Sequence, residues 1–320
     1  MENSSTVMKE RLGFFEIIKD SLKIAFKNPN FILFTFLTSL PLFCFLVLYE
    51  IILQYVLIET GKILQEAADP FQIFGDGYER LVDIENLLGK VSSKVLLLGF
   101  IHLGIIHFLD LFNTIATVDV ASIIYAGEKS ISLKDMLCRP VKETRFKGPL
   151  ITSICSLCLA FLILLGLLSF ATYIYITSAD VLFMMLFVVL FIALLAKFME
   201  WSSIWNMGIV ISILEEKQGD VALLVSSYLS RRNRAYGFFI MFGFFAWRLA
   251  LRFSCLYQGW DNGGSTIVVT VGHIGLVCLA NLFKWVAIMV YFYGCKKQSS
   301  YQYTDEEEAK FRNDLQAEPI

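Results

Sequence analysis

Apolar positions along this chain gather into long runs separated by short polar stretches. Six runs stand out: Phe31 to Val56, Val95 to Val120, Pro149 to Ile176, Val181 to Trp201, Tyr236 to Tyr257, and Thr266 to Tyr293. A helix rising about 1.5 Å per residue needs roughly twenty residues to cross about 30 Å of hydrocarbon, so each run predicts a spanning helix. The fourth stays apolar as far as Leu214, and its helix is expected to continue beyond the bilayer. The fold class expected is therefore all-α, a polytopic integral membrane protein with six transmembrane helices. Its parts are a cytosolic amphipathic arm (residues 1–30), a transmembrane domain (31–294) and an acidic cytosolic tail (295–320).

Composition agrees with lipid as the solvent. Of the 320 residues 57% are hydrophobic and 18% charged, and the mean hydropathy is +0.64, outside the range of soluble domains. The formal net charge of -2 supplies no basic field for nucleic acid. Lys and Arg fall unevenly about the runs: 19 lie in the arm, in Gly127 to Lys147, in Glu215 to Arg234 and in the tail, while the opposite side holds 4. Those four are Lys62, Arg80, Lys90 and Lys94, in the outer loop from Gly61 to Lys94. Cytosolic loops retain positive charge, so both termini are expected in the cytosol of a cell with an endomembrane or plasma-membrane location for the protein. Asn3 begins a glycosylation pattern that this topology leaves unmodified.

Three segments mixing apolar and basic residues precede the odd-numbered spans: Phe14 to Asn28, Ser132 to Lys147 and Val221 to Arg234. They predict short amphipathic helices and three hairpin units. In the first, Phe14, Phe15, Ile18, Leu22 and Phe26 recur every three or four residues, which suits a helix in the interface with Lys19, Lys23 and Lys27 at the headgroups.

Ionisable side chains in hydrocarbon cost about 2.5–3.5 kcal/mol each on insertion scales, so each calls for a partner or a wet cavity. The second run carries His107, Asp110, Asn113 and Thr117 at helical spacing, a polar stripe on one face. The fifth carries Arg248 and Arg252 one turn apart, with Arg248 near the depth of Asp110, and an Asp110–Arg248 ion pair is expected. Nearer the cytosol, Lys197 and Glu200 in the fourth run reach the depth of Asn281 and Lys284 in the sixth. Glu200 with Lys284 is the expected pair, and Lys197 can instead reach the headgroups. These residues form the candidate network, read either as fixing helix register or as lining a substrate or ion path. Pro41 inside the first run predicts a kink.

Catalytic chemistry finds no motif. G-x-S-x-G, Walker A and G-x-G-x-x-G are absent from the sequence. His102 and His107, five residues apart, fall roughly 140° around an α-helix, unlike an i, i+4 ligand pair. Asp110 with His107 and His273 is the remaining metal-ligand combination, and no metal or cofactor is expected. Cys155 and Cys158 form C-x-x-C inside a span and read as packing residues, whereas Cys138 and Cys295 beside bases are candidate palmitate acceptors.

Several strings carry a resemblance: Phe14 to Pro41 with Ala25, Asn28 and Leu40 before Pro41, then Ile213, Leu214 and Glu215 ahead of the fifth span, and Tyr291, Phe292 and Tyr293 running into Cys295 and Lys296. With these the chain resembles a plant family of uncharacterised six-span proteins. It is also distantly similar to the membrane module of some bacterial glycerophosphodiester phosphodiesterases, without their catalytic barrel. The resemblance implies a six-span fold and brings no established activity. The function expected is a non-enzymatic, lipid-associated accessory, scaffold or assembly factor, with membrane lipids and other membrane proteins as partners. The alternatives are a small transporter or channel with a path lined by Asp110 and Arg248, and a lipid-modifying enzyme.

Overall fold

The computed structural model describes residues 13–68, 93, 97–127, 134, 136, 146–176, 181–215, 217–261 and 266–317, and among them every regular element is a helix. Asn3, Cys138, the second amphipathic segment apart from Lys134, Met136, Phe146 and Lys147, and nearly all of the outer loop beyond Ala68 lie outside the described residues.

The elements are α1 (Phe14–Lys27), α2 (Pro29–Ala68), α3 (Leu97–Tyr125), α4 (Lys147–Ile176), α5 (Val181–Leu214), α6 (Gly219–Ser230), α7 (Arg234–Asp261) and α8 (Thr266–Ala317). Six of them, α2, α3, α4, α5, α7 and α8, contain stretches long and apolar enough to cross a membrane. These coincide with the six runs, and α5 continues to Leu214 as expected. Two helices are longer than the runs. α2 passes Val56 to end at Ala68. α8 carries on through the acidic tail to Ala317, since no Gly or Pro interrupts Cys295 to Ala317 and its Lys, Gln, Glu and Ala favour helix.

Local chemistry sets the breaks. Pro29 disfavours helical backbone at Asn28, which is extended (φ -122°, ψ 99°), and then serves as the first helical residue of α2. At the start of α1 the Gly13 N–H donates to Glu16 Oε2 at 3.2 Å. Gly127, at φ +82°, turns the chain out of α3. Pro41 has no N–H to give the Leu37 carbonyl, and in the turn before it the hydroxyls of Thr38 and Ser39 donate to the carbonyls of Thr35 and Phe36, at 3.2 and 3.1 Å.

The chain divides into two units. The first comprises Met1–Phe34, Thr114–Trp247 and Asn281–Ile320, the second Thr35–Asn113 and Arg248–Ala280. The core of the first is made by helices buried on every side: α5 from Met207 to Ile213, and α8 from Trp285 to Phe292. Such segments are apolar all round because no face meets solvent. The α4–α5 hairpin packs through Gly166 against Leu194 and through stacking of Tyr173 on Phe187 at 5.2 Å. Most of its outward leucines and phenylalanines stay exposed, the surface a helix offers to lipid.

Two short helices pack on this unit. α1 turns Ile17, Ser21, Ile24 and Ala25 inward, leaving Phe15 (82% exposed), Lys19, Leu22, Lys23 and Phe26 (68%) outward. α6 buries Gly219, Ala222, Ser226 and Ser230, a stripe of small residues that lets its backbone approach α5, where the Ser226 hydroxyl donates to the Ile204 carbonyl at 2.6 Å. Its outward face is Val221, Leu224 and Tyr228, followed by Arg231.

Candidate functional site

In the second unit the buried charge lies on α2, α7 and α8. Glu50, 5% exposed, accepts from Arg252 Nη1 and from Gln54 Nε2 (3.2 Å), and Gln54 exchanges hydrogen bonds with Thr270 at 3.4 Å. The carboxylate is thus answered by a guanidinium and an amide, and the amide is held by a hydroxyl of α8. His273, also buried, lies where the charges of Glu50, Arg252 and Arg248 reach it. Asn113 is buried and accepts from the Thr38 hydroxyl at 3.2 Å, so this member of the α3 stripe ties α3 to α2.

The expected Asp110–Arg248 pair does not form. Arg248 is exposed and has no ion-pair partner among the described residues, while its neighbour one turn on takes Glu50. Asp110 and Arg248 do share a neighbourhood, since both charges reach His102 and Cys278. The reading of the histidines also changes. Residues His102–Ile106 form a π-helical turn in which the His107 N–H reaches the His102 carbonyl, five residues back. The extra residue in that turn makes the angle between His107 and His102 smaller than the roughly 140° of a regular α-helix. Tyr49 packs its ring on His102 at 5.3 Å. Among the described residues no three His, Cys, Asp or Glu side chains converge to hold a metal, so His107, Asp110 and His273 do not supply one site.

In the first unit polar contacts concentrate where α5, α6, α7 and α8 meet. Tyr291 donates to the Asn233 carbonyl at 3.0 Å, and the Asn233 amide donates to Gln298 at 2.5 Å and lies 3.7 Å from the Cys295 sulfur. Gly237 sits opposite, with the Ser203 side chain where a Cβ would be and the Tyr291 hydroxyl 3.1 Å from that point. Cys295 is 1% exposed, so the thiol expected to accept palmitate is out of reach. Beyond the end of α5, Glu215 accepts from Lys296 (2.5 Å) and Lys217 (2.9 Å). Burial pushes the Glu215 carboxyl up, but the two lysines outweigh it and hold its pKa below the ordinary carboxylate value.

Glu200 takes Lys197 (2.7 Å) and Arg234 (3.3 Å) instead of the expected Lys284, whose ammonium lies 4.2 Å from the Trp285 ring centre. Lys197 is the i, i+3 neighbour of Glu200 on the same helix, and Arg234 is brought in by the first turn of α7. Asn281 begins the segment of α8 that belongs to this unit. Thr117, the last residue of the α3 stripe, is buried with its hydroxyl unpartnered among the described residues.

Sequence reasoning missed Glu50, Gln54 and the Asn233–Gln298 contact. Glu50 had a signal, since it is the one charged residue in the run from Phe31 to Val56. Asn233 and Gln298 had none, being ordinary polar residues beside helix ends.

Six apolar helices of spanning length, with carboxylates and guanidinium groups placed inside them, define a multi-pass α-helical membrane protein. The chain belongs to the family described as Domain of unknown function (DUF8558), matched over residues 1–317. No curated protein and no solved structure matches it.

Proposed function

We propose that this protein is a non-enzymatic, lipid-associated membrane scaffold or assembly factor whose cytosolic face engages anionic lipid through α1. Support comes from the outward face of α1, where Phe15, Leu22 and Phe26 remain exposed beside Lys19 and Lys23 although the opposite face packs on protein. Aromatic and aliphatic side chains interleaved with lysines suit the boundary between headgroups and acyl chains, and each base near an anionic surface adds about 1 kcal/mol. The outward face of α6, with Arg231 after Tyr228, is of the same kind. This reading carries the N-in orientation of the charge count, an endomembrane or plasma-membrane location, and the resemblance to plant six-span proteins and the phosphodiesterase membrane module.

The test is the lipid that copurifies with the full chain in mild detergent, read by mass spectrometry. Anionic lipid is expected to be enriched over the bulk extract and to fall severalfold when Phe15 and Phe26 become Ser and Lys19 and Lys23 become Gln. An unchanged lipid profile in that variant would refute the role of α1. A second reading, a small transporter or channel, is favoured by one observation, Arg248 exposed within a span and without an ion pair among the described residues. Flux in proteoliposomes that is lost in Asp110→Asn supports it.

A further inference from the structure

We propose that the turn between α6 and α7, together with the segment of α8 packed on it, binds a headgroup carrying more than one phosphate. The site is a buried knot ringed by bases. Asn233, 6% exposed, donates through its side-chain amide to Gln298 at 2.5 Å, lies 3.7 Å from the Cys295 sulfur and accepts at its carbonyl from Tyr291 at 3.0 Å. These contacts bring the segment from Arg231 to Arg234 onto the turn of α8 from Cys295 to Gln298, and both lie in the first unit. Asn233, Tyr291 and Cys295 are buried, which fixes the backbone of the turn, while Arg231, Arg232, Arg234, Lys296 and Lys297 all stay exposed.

The charges around the knot do not cancel. Glu200 answers two bases, Lys197 (2.7 Å) and Arg234 (3.3 Å), and Glu215 answers two more, Lys217 (2.9 Å) and Lys296 (2.5 Å), so each carboxylate leaves its group positive. Arg231 adds a charge that meets no carboxylate among the described residues. The other acids stand apart. Asp220 opens α6 at the end away from Arg231, where its carboxylate accepts from the Val221 N–H at 2.9 Å. Asp20 and Asp119 act on Tyr125 and Tyr293, whose rings stack at 5.1 Å between α3 and α8. Lys297 acts on the same Tyr125 as Asp20 and is left out of the site. The acidic run from Asp305 begins more than two turns beyond Lys296, and Glu216 lies outside the described residues. A surplus spread over Arg231 in the turn, Arg234 on α7 and Lys296 on α8 suits several phosphate oxygens at once, because guanidinium forks take two each and an ammonium a third. Tyr228, 70% exposed in the last turn of α6, is a ring of the sort that seats at headgroup level. The proposal deepens the lipid-associated reading and rests on the cytosolic placement it carries, but makes no use of α1.

Such a headgroup has two sources, a lipid or its soluble counterpart, and two arms separate them. In the first, the full chain in mild detergent is incubated with mixed micelles containing phosphatidylinositol bisphosphate and phosphatidylserine in equal amounts, and bound lipid is counted by native mass spectrometry. In the second, the melting temperature is followed as inositol trisphosphate is added. A lipid site gives preferential retention of the bisphosphate lipid, which falls about tenfold or more in Arg231→Gln/Lys296→Gln. A soluble-ligand site gives no lipid preference but a rise in melting temperature that the same variant abolishes. Glu215→Gln, which removes an opposing carboxylate, is expected to strengthen whichever signal appears, and it decides the matter should the double variant fail to fold. Equal retention of the two lipids with no response to inositol trisphosphate would overturn the proposal. So would a signal that Arg231→Gln/Lys296→Gln leaves unchanged, or one that Glu215→Gln fails to raise. Replacing Phe15, Lys19, Lys23 and Phe26 on α1 lowers phosphatidylserine and leaves the preference for the bisphosphate lipid intact, so the two readings fail separately.

Discussion

Replacing Glu50 by Leu leaves the Arg252 guanidinium without its carboxylate inside a span. Removing one partner of a buried pair costs about 3–5 kcal/mol, because the survivor remains desolvated. The side chain of Arg252 is 30% exposed against 7% for Glu50, so the lower end applies, about 3 kcal/mol or roughly a hundredfold in the unfolding equilibrium. Arg252→Met should cost a similar amount, since it strands Glu50 with only the Gln54 amide. The double variant Glu50→Leu/Arg252→Met buries two apolar side chains of similar volume and should lie within about 1–2 kcal/mol of wild type. Thermal melts of the four proteins in one mild detergent measure the cycle. On a scale of about 2–4 °C per kcal/mol, each single variant should melt roughly 6–12 °C lower and the double should recover most of that. If the two losses simply add, within about 0.5 kcal/mol, the pair carries no coupling and the account of the second unit is wrong.

Two further outcomes follow from the first unit. Gly237→Ala drives a methyl into the Ser203 side chain and against the Tyr291 hydroxyl, an overpacking expected to cost about 1–3 kcal/mol; adding Ser203→Gly should restore most of the melting temperature, and a neutral Gly237→Ala would show that α5, α7 and α8 do not meet there. Glu215, with its pKa held down in the folded state, contributes stability that is fully present above its unfolded pKa and is lost as the pH falls through the lower folded value. With both lysines about half exposed the contribution is about 1 kcal/mol, and Glu215→Gln should flatten that acid-side slope in melts taken against pH; an unaltered slope would place it elsewhere.

The spans were legible because lipid imposes a length on apolar runs, and nothing in the rest of the chain competes with that signal. Even the extension of α5 to Leu214 could be read, since the segment from Met207 to Ile213 is apolar except for Ser212 and is buried throughout. The continuation of α8 was harder to see. A run of acids after Tyr303 reads as solvated chain, but solvation and helix are compatible when no breaker intervenes, and the first breaker after Ala317 is Pro319. The break between α1 and α2 was written in Asn28 and Pro29, and the small-residue face of α6 in Gly219, Ala222, Ser226 and Ser230. That last pattern signals a close approach of backbones, while its partner Ile204 carries no mark of the contact.

Charge pairing was less legible, and the reason is geometric. Depth along a helix follows from residue count, which is why Asp110 and Arg248 were expected at one height, but rotation about the helix decides contact and is not fixed by depth. A π turn ahead of His107 shifts everything before it by one residue, which no spacing rule for α-helices anticipates. Arg252 was free to meet Glu50 because the run from Phe31 to Val56 brings its one charged residue to it from 202 positions away. Similarly Glu200 found Lys197 and Arg234, the nearest bases along and beside its own helix, before any on α8. Of the four bases inside the six predicted runs, Lys197 and Arg252 meet carboxylates and Lys284 lies over an indole ring, whereas Arg248 meets no carboxylate among the described residues, a difference that depth along the helix could not tell apart.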